Sequence, residues 1–222
     1  INERKNRLHE VVRLSGLNIT IGDDDKPLII KVASIPAAKL QVYFIDNEDY
    51  FKRKTVFKNK SGKFHKDNDE RILFFCRGVL ETVIKLGWSP DIIHCNDWMS
   101  SLVPMLIKSA FSESHLFEHT KCIYSLYTNE FKEKLDKNMI KKILEDEEID
   151  EKMTKSLDPL DYTGLLKIAS EFSDAVIRPK DELSKKVEKA LSEISPKKKL
   201  HTIINDEKSI ESHYKLYNEI LN

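Results

Sequence analysis

The chain reads PDIIHCNDWMSSLVP from residue 90 to residue 104. The apolar pair Ile92-Ile93 follows a Pro-Asp turn, and a polar cluster from His94 to Trp98 comes next. Apolar residues then resume at helical spacing as far as Ile107. This order predicts a short buried strand with polar side chains at its carboxyl end, followed by a helix. In parallel α/β sheets, ligands bind at that end of the strands.

The pattern of apolar residues on either side of this stretch predicts alternating strands and helices. The predicted strands are 28–32, 40–45, 91–94, 121–126, 174–177 and 200–204, and the predicted helices are 67–87, 98–110, 132–155, 161–172, 181–191 and 209–221. The first two strands are joined by a segment too short for a crossover helix, so we expect them to pair antiparallel and to make the sheet mixed. The remaining predicted strands and helices indicate an α/β fold with a mostly parallel sheet and helices on both faces.

Charge and composition exclude several classes of protein. The 222 residues contain 37 Lys+Arg and 37 Asp+Glu, and this zero net charge argues against a nucleic-acid partner. No apolar run approaches about 18 residues, so we expect no membrane span, and no signal peptide is visible. The odd set Cys76, Cys95 and Cys122 lies in apolar contexts and fits neither a zinc site nor a disulfide framework. We therefore expect buried thiols in a cytoplasmic protein.

Several spaced motifs resemble the glycogen and starch synthase family. Residues 90–104 are similar to its segment P-D-(V/I)-(V/I)-H-x-H-D-W-H/Q-x-x-L-x-P, with departures at Asn96 and Met99. Residues 42–53 look like its V-Y-F-V/I-D…Y-F-x-R segment, and DNDERILFFCRGVLE from residue 67 looks like its N-x-x-R-F-x-F-F-x-R-A-x-L-E helix. Residues 165–176 resemble a further stretch, F-L-K-x-G-I-x-x-A-D-x-V, so the likeness runs from about residue 28 to residue 178.

The resemblance implies a fold and a reaction. Residues 1–222 would form a single Rossmann-like domain, the N-terminal, acceptor-side domain of a GT-B glycosyltransferase, with 209–222 as a closing helix. The family's first strand, with its Lys-x-Gly-Gly-Leu loop, would lie upstream of Ile1. The family reaction transfers glucose from ADP- or UDP-glucose to an α-1,4-glucan, so an α-glucan or a sugar nucleotide is the expected ligand.

Three departures from the family limit the expected activity. The family's T-(I/V)-H-N segment reads SLYT at residues 125–128, and its T-V-S-x-x-Y segment is replaced by Ile177-Arg178-Pro179-Lys180. The sequence also contains no second, donor-binding domain. We therefore expect a transferase-like chain that is not active alone. The alternatives are a chain whose donor half comes from another protein, and a glucan-binding or protein-interaction module without catalysis.

The resemblance assigns substrate binding to His94, Asn96, Asp97 and Trp98, each with an ordinary structural alternative. His94 could be a satisfied structural histidine, Asp97 could cap the next helix, and Trp98 could simply pack beneath that helix. Asn96 can donate and accept hydrogen bonds but cannot carry a proton at neutral pH. His94 and Asp97 have no third ligand in register for a metal, and we assign no catalytic, cofactor or metal residue.

The last segment of the chain is similar to the family's last helix. It carries an apolar stripe at helical spacing, formed by Tyr214, Leu216, Tyr217, Ile220 and Leu221. If this helix follows the domain directly, it must bury that stripe against the same domain as Ile29 and Ile93.

Overall fold

The computed structural model describes residues 9–193, 199–203 and 209–222. The chain forms two compact units, Ile1–Asp67 and Asn68–Asn222. The expectation of one synthase-type domain over residues 1–222 stays a prediction.

The first unit is an antiparallel sheet of three strands in the order β1-β2-β3. Its strands are β1 (His9–Ile21), β2 (Asp24–Ile35) and β3 (Leu40–Asp46), followed by a short helix α1 (Glu48–Phe51). The predicted antiparallel pairing is confirmed, with Ile30 opposite Ile45. These strands form a sheet of their own and do not extend the parallel sheet.

The second unit contains a parallel sheet in the strand order β4-β5-β6-β7. Its strands are β4 (Ile92–Asn96), β5 (Lys121–Ser125), β6 (Ala175–Pro179) and β7 (Lys199–Ile203), and its helices are α2 (Asn68–Leu86), α3 (Val103–Ile107), α4 (Met139–Leu144), α5 (Tyr162–Phe172), α6 (Lys185–Ser192) and α7 (Ser209–Leu221). The predicted α/β class with a parallel sheet is therefore confirmed. The last predicted strand residue, 204, lies outside the described residues.

Side chains of β5 are buried on both faces of the parallel sheet. Ile123 packs with Leu216 of α7, whereas its neighbours Cys122 and Tyr124 are fully buried. Successive side chains of a strand point to opposite faces, so the two neighbours face away from α7. Tyr124 accordingly interacts with Tyr162 of α5.

Two predicted helices are broken into shorter pieces. The segment 98–110 forms a 3-10 turn, Trp98–Ser100, and then α3, because Pro104 lacks an N–H and its ring clashes with the preceding turn of a continuous helix. The segment 132–155 contains α4 and the first part of a 3-10 stretch, Glu151–Leu157. Aspartates there accept hydrogen bonds from backbone N–H groups two residues ahead, and such local bonds compete with helix formation.

The structure bears on two further predictions, the burial of the cysteines and the lack of a membrane span. Cys76, Cys95 and Cys122 are buried thiols outside any disulfide, as expected. Among the helices in the described part of the chain, none has the length and apolar character needed to cross a membrane.

Candidate functional site

Polar side chains from two segments meet at the carboxyl ends of β4 and β5. Asn96 is in register with Ser125, and the Asp97 N–H donates to the Ser125 carbonyl over 2.9 Å. This parallel register brings the predicted site residues after β4 next to residues 126–129, which follow β5. The residues predicted for the site therefore lie at the carboxyl ends of β4 and β5.

Asp97 has an unusual backbone conformation at this edge. Its φ of 65° and ψ of 171° fall in a region that is essentially reserved for glycine. Holding a residue with a side chain there costs about 1–3 kcal/mol, and such residues concentrate at active sites and ligand clamps. The surrounding hydrogen bonds fix the strained peptide, since the Asp97 carbonyl also accepts from Ser100 N over 3.1 Å.

The Asp97 carboxylate is bonded through both oxygens. Oδ1 accepts from Trp98 N over 2.7 Å, and Oδ2 accepts from the Asn129 side-chain amide. Burial raises the pKa of Asp97, and these two donors partly offset that rise. Asp97 therefore caps the 3-10 turn, as the structural alternative expects, while its charge is held in a partly desolvated position beside Asn129.

Asn96 is exposed and bonded to Tyr127. The Tyr127 hydroxyl donates to Asn96 Oδ1 over 2.8 Å, and Asn96 Nδ2 donates to the His94 carbonyl over 3.1 Å. The Tyr127 carbonyl accepts from the Tyr162 hydroxyl over 2.9 Å. Tyr127 is not among the residues predicted for the site, and its signal in the sequence is the departure of residues 125–128 from the family segment.

Trp98 is packed into the protein next to the site. Only 2% of its surface is exposed, and its ring lies edge-on to Phe131 with 4.9 Å between centroids. Phe131 in turn contacts Tyr162 with 5.7 Å between centroids. In this conformation the indole offers no open face to a ligand, which fits the packing alternative.

His94 is held by hydrogen bonds on both ring nitrogens. Nδ1 lies 2.6 Å from the Tyr217 hydroxyl and Nε2 lies 2.7 Å from Ser125 Oγ. Burial, followed by the nearby His213 ring, lowers the pKa of His94 from 6.5 to about 4. His94 is therefore a neutral side chain that links β4 to β5 and α7. Its role as a substrate-binding residue stays a prediction.

A metal site has no support in the described ranges 9–193, 199–203 and 209–222, where no group of three or more His, Cys, Asp or Glu residues could hold an ion. The chemistry available at this edge is that of Asn96, Asp97, Tyr127 and Asn129, which are hydrogen-bonding groups without a cation among them. Such a set can bind a neutral, hydroxyl-rich ligand.

Comparison with known proteins gives consistent matches. A family model described as the starch synthase catalytic domain matches residues 1–189. The glycogen synthase of Chlorobaculum tepidum is 45% identical over 128 residues, which cover 57% of this chain and 26% of that protein. The glycogen synthase of Chlorobium phaeovibrioides is 40% identical over 169 residues, covering 74% of this chain and 34% of that protein.

A solved structure is similar in fold. The catalytic domain of starch synthase IV from Arabidopsis thaliana, bound to ADP and acarbose, superimposes with a TM-score of 0.69 and 20% identity. The match covers 90% of this chain and 41% of that one. At this identity the likeness concerns the fold alone. The chain spans about a quarter to a third of the length of these curated relatives.

Proposed function

This chain belongs to the starch synthase catalytic domain family of glycogen and starch synthase-like glycosyltransferases, and we propose that residues 1–222 form the acceptor side of a glucosyl transfer site. In this proposal an α-1,4-glucan binds at Asn96 and Asp97, at the carboxyl ends of β4 and β5. Transfer from ADP- or UDP-glucose then requires donor-side residues that residues 1–222 do not supply.

The observation that carries this proposal is the state of Asp97. Its backbone is in a conformation that favours glycine, and burial raises the pKa of its carboxyl group. Both features disfavour the folded state, and both occur at the sheet edge where parallel α/β folds bind ligands. A strained backbone and a perturbed carboxylate in one residue are typical of a functional position.

The charges at the site explain why we expect no transfer by these residues alone. Glucosyl transfer releases a nucleoside diphosphate, and its developing charge must be stabilised by cations or aligned N–H groups. The side chains bonded together at this edge, Asn96, Asp97, Tyr127 and Asn129, are neutral or anionic, and Arg178 near the carboxyl end of the adjacent strand β6 is ion-paired with Glu188. The diphosphate must therefore be bound by other residues.

Two measurements test the proposal. Incubation of the chain with radiolabelled ADP-glucose or UDP-glucose and glycogen should give no incorporation, and turnover in the range of about 1–1000 per second would refute the inactivity. NMR titration with maltoheptaose should shift the amide signals of residues 96–98 and 126–129. No shift at millimolar ligand, or shifts confined to other regions, would refute the glucan site.

A second candidate function is a glucan-binding or protein-interaction module without catalysis. It is favoured by Asn96 and Tyr127, which stand where the family carries histidines, because neither side chain exchanges a proton near neutral pH. Burial and the nearby Asp97 raise the pKa of Tyr127 further. Adding a polypeptide with the donor-side domain separates the two candidates, since only the transferase half should then gain activity.

The compartment is part of the proposal as well. Cys76, Cys95 and Cys122 are buried, and none of them forms a disulfide. Unpaired thiols are usual where the environment keeps cysteines reduced, and we propose a cytoplasmic location on that ground.

A further inference from the structure

We propose that Tyr127 is the stacking residue of the glucan site and that its hydroxyl orients Asn96 to bind a pair of sugar hydroxyls. The ligand class rests on the proposed function, whereas the role of Tyr127 rests on its own exposure and contacts.

Tyr127 combines an open aromatic surface with a polar neighbour. Its exposed fraction is 43%, although its hydroxyl is bonded to Asn96 and its carbonyl to Tyr162. A pyranose ring has apolar C–H faces and a rim of hydroxyl groups. An aromatic ring beside a carboxamide matches both parts of such a ligand.

The Tyr127 side chain is held in place before a ligand binds. Tyr162, which is buried, holds the Tyr127 carbonyl, and the preceding residue Leu126 donates its N–H to the Ile177 carbonyl over 3.0 Å. The Tyr127 ring is held at its far end by Asn96. A pre-organised side chain loses little conformational entropy when a ligand binds, so more of the contact energy appears as affinity.

The hydrogen-bond inventory of Asn96 shows what it can still bind. A carboxamide has two N–H donors and two acceptor lone pairs. One donor is used by the His94 carbonyl and one lone pair by the Tyr127 hydroxyl. One donor and one acceptor remain on an exposed side chain, and neighbouring hydroxyls of a sugar ring can accept from the first and donate to the second.

Other aromatic residues fit this role less well. Trp98 adjoins Asp97 but is buried against Phe131. Trp88 is 47% exposed but precedes β4, so it lies toward the amino end of the strand. The five residues of β4 separate that end from the site by about 17 Å. Trp88 is therefore a matched control, since it is an exposed aromatic residue at the opposite edge of the same sheet.

The test is titration of the full chain and its variants with maltoheptaose, in which binding is measured by calorimetry and NMR. Tyr127→Ala should weaken binding by at least about tenfold because the stacking surface is lost. Tyr127→Phe should keep affinity within about threefold because the ring remains and one neutral hydrogen bond is lost. Tyr127→Leu, with apolar volume but no ring, should resemble Tyr127→Ala, and Trp88→Ala should bind like the unchanged chain.

The outcomes are distinguishable from failure of the proposed function. If the unchanged chain binds and Tyr127→Ala binds equally well, this inference is wrong while the glucan site stands. If the unchanged chain does not bind, both are wrong. Saturation transfer from selectively labelled tyrosine to the ligand is measured on the unchanged chain and needs no variant to fold. Transfer to the sugar C–H protons supports stacking, and its absence in the bound complex overturns it.

Discussion

The Nδ1 atom of His94 lies 2.6 Å from the hydroxyl oxygen of Tyr217. These residues are 123 positions apart, and their contact ties α7 to the strand that carries the candidate site. Leu216 beside Tyr217 is buried with Ile123, Ala175 and Ile177. Only part of the predicted stripe packs in this way, because Tyr214 and Leu221 at the other positions are exposed.

Removing the apolar contact of α7 should destabilise the fold. Leu216 is 3% exposed, and Leu216→Ala should lower the free energy of unfolding by about 2–4 kcal/mol, as measured by urea denaturation. The control Ile210→Ala lies on the same helix at a position that is 78% exposed, and it should change stability by less than about 0.5 kcal/mol.

Deletion of residues 209–222 should give an insoluble or largely unfolded chain. Cooperative melting of the truncated chain at an unchanged temperature would show that α7 is a loosely attached tail.

The lowered pKa of His94 predicts a loss of stability in mild acid. The folded-state pKa is about 4, whereas the ordinary value is 6.5. Between these values the unfolded chain binds a proton that the folded chain does not, so the free energy of unfolding falls as the pH drops from 6.5 to 4. Because the ring is only partly shielded from solvent, we expect this residue to contribute about 1–2 kcal/mol over that range.

The variant His94→Gln tests this pH dependence. Glutamine can still hydrogen-bond but does not titrate. Urea denaturation at several pH values should show a shallower decline in the variant than in the unchanged chain. Equal slopes would mean that other groups produce the acid sensitivity.

The elements that the sequence predicted well depend on local signals. The strand at Ile92–Asn96 and the helix at Tyr162–Phe172 follow from apolar runs next to turn or cap residues. The segment 132–155 has a helical apolar pattern as well, but its aspartates bond their own backbone and divide it. Competition of this kind is decided by a few hydrogen bonds and cannot be read from periodicity.

The candidate site was predictable in position but not in detail. The order of residues 92–98 places Asn96 and Asp97 at a sheet edge that binds ligands. The contact between Asn96 and Tyr127 depends on the register of β4 against β5, which no local pattern encodes. The positive φ of Asp97 was also not predictable, since aspartate at a predicted cap is expected to be extended with a negative φ.

Burial should protect the thiols of this chain. Cys76 is fully buried and its Sγ donates to the Met99 carbonyl over 3.3 Å, and burial raises its pKa to about 12. Burial also raises the pKa of Cys95 well above its ordinary value. Because the thiolate is the reactive form, a thiol reagent such as DTNB should modify none of the three cysteines in the folded chain at pH 7.5 and all three in urea. Rapid modification under native conditions would indicate local opening around α2, β4 or β5.

The last prediction concerns the opposing effects of Asp97 on stability and binding. Replacing Asp97 by glycine removes a backbone cost of about 1–3 kcal/mol, while exchange of a capping aspartate for glycine loses only a few tenths of a kcal/mol. The buried charge of Asp97 also destabilises the folded state, so its removal by glycine should likewise favour folding. Burial raises the pKa of Asp97, so the folded state loses stability as the pH rises above the ordinary value of 3.8, and the penalty is present at neutral pH. Asp97→Gly should therefore unfold at equal or higher urea concentration than the unchanged chain.

The matched control is Asp150→Gly. Asp150 also caps a 3-10 segment, with Lys152 N donating to its carboxylate over 2.8 Å, but its φ of −68° is ordinary. Glycine there relieves no strain and removes the side-chain cap, so we expect a loss of a few tenths of a kcal/mol. In maltoheptaose titrations the order should reverse, with Asp97→Gly losing affinity and Asp150→Gly keeping it. If Asp97→Gly is instead the less stable variant, the strain at Asp97 is not a cost borne for binding, and only Asn96 and Tyr127 support a glucan site.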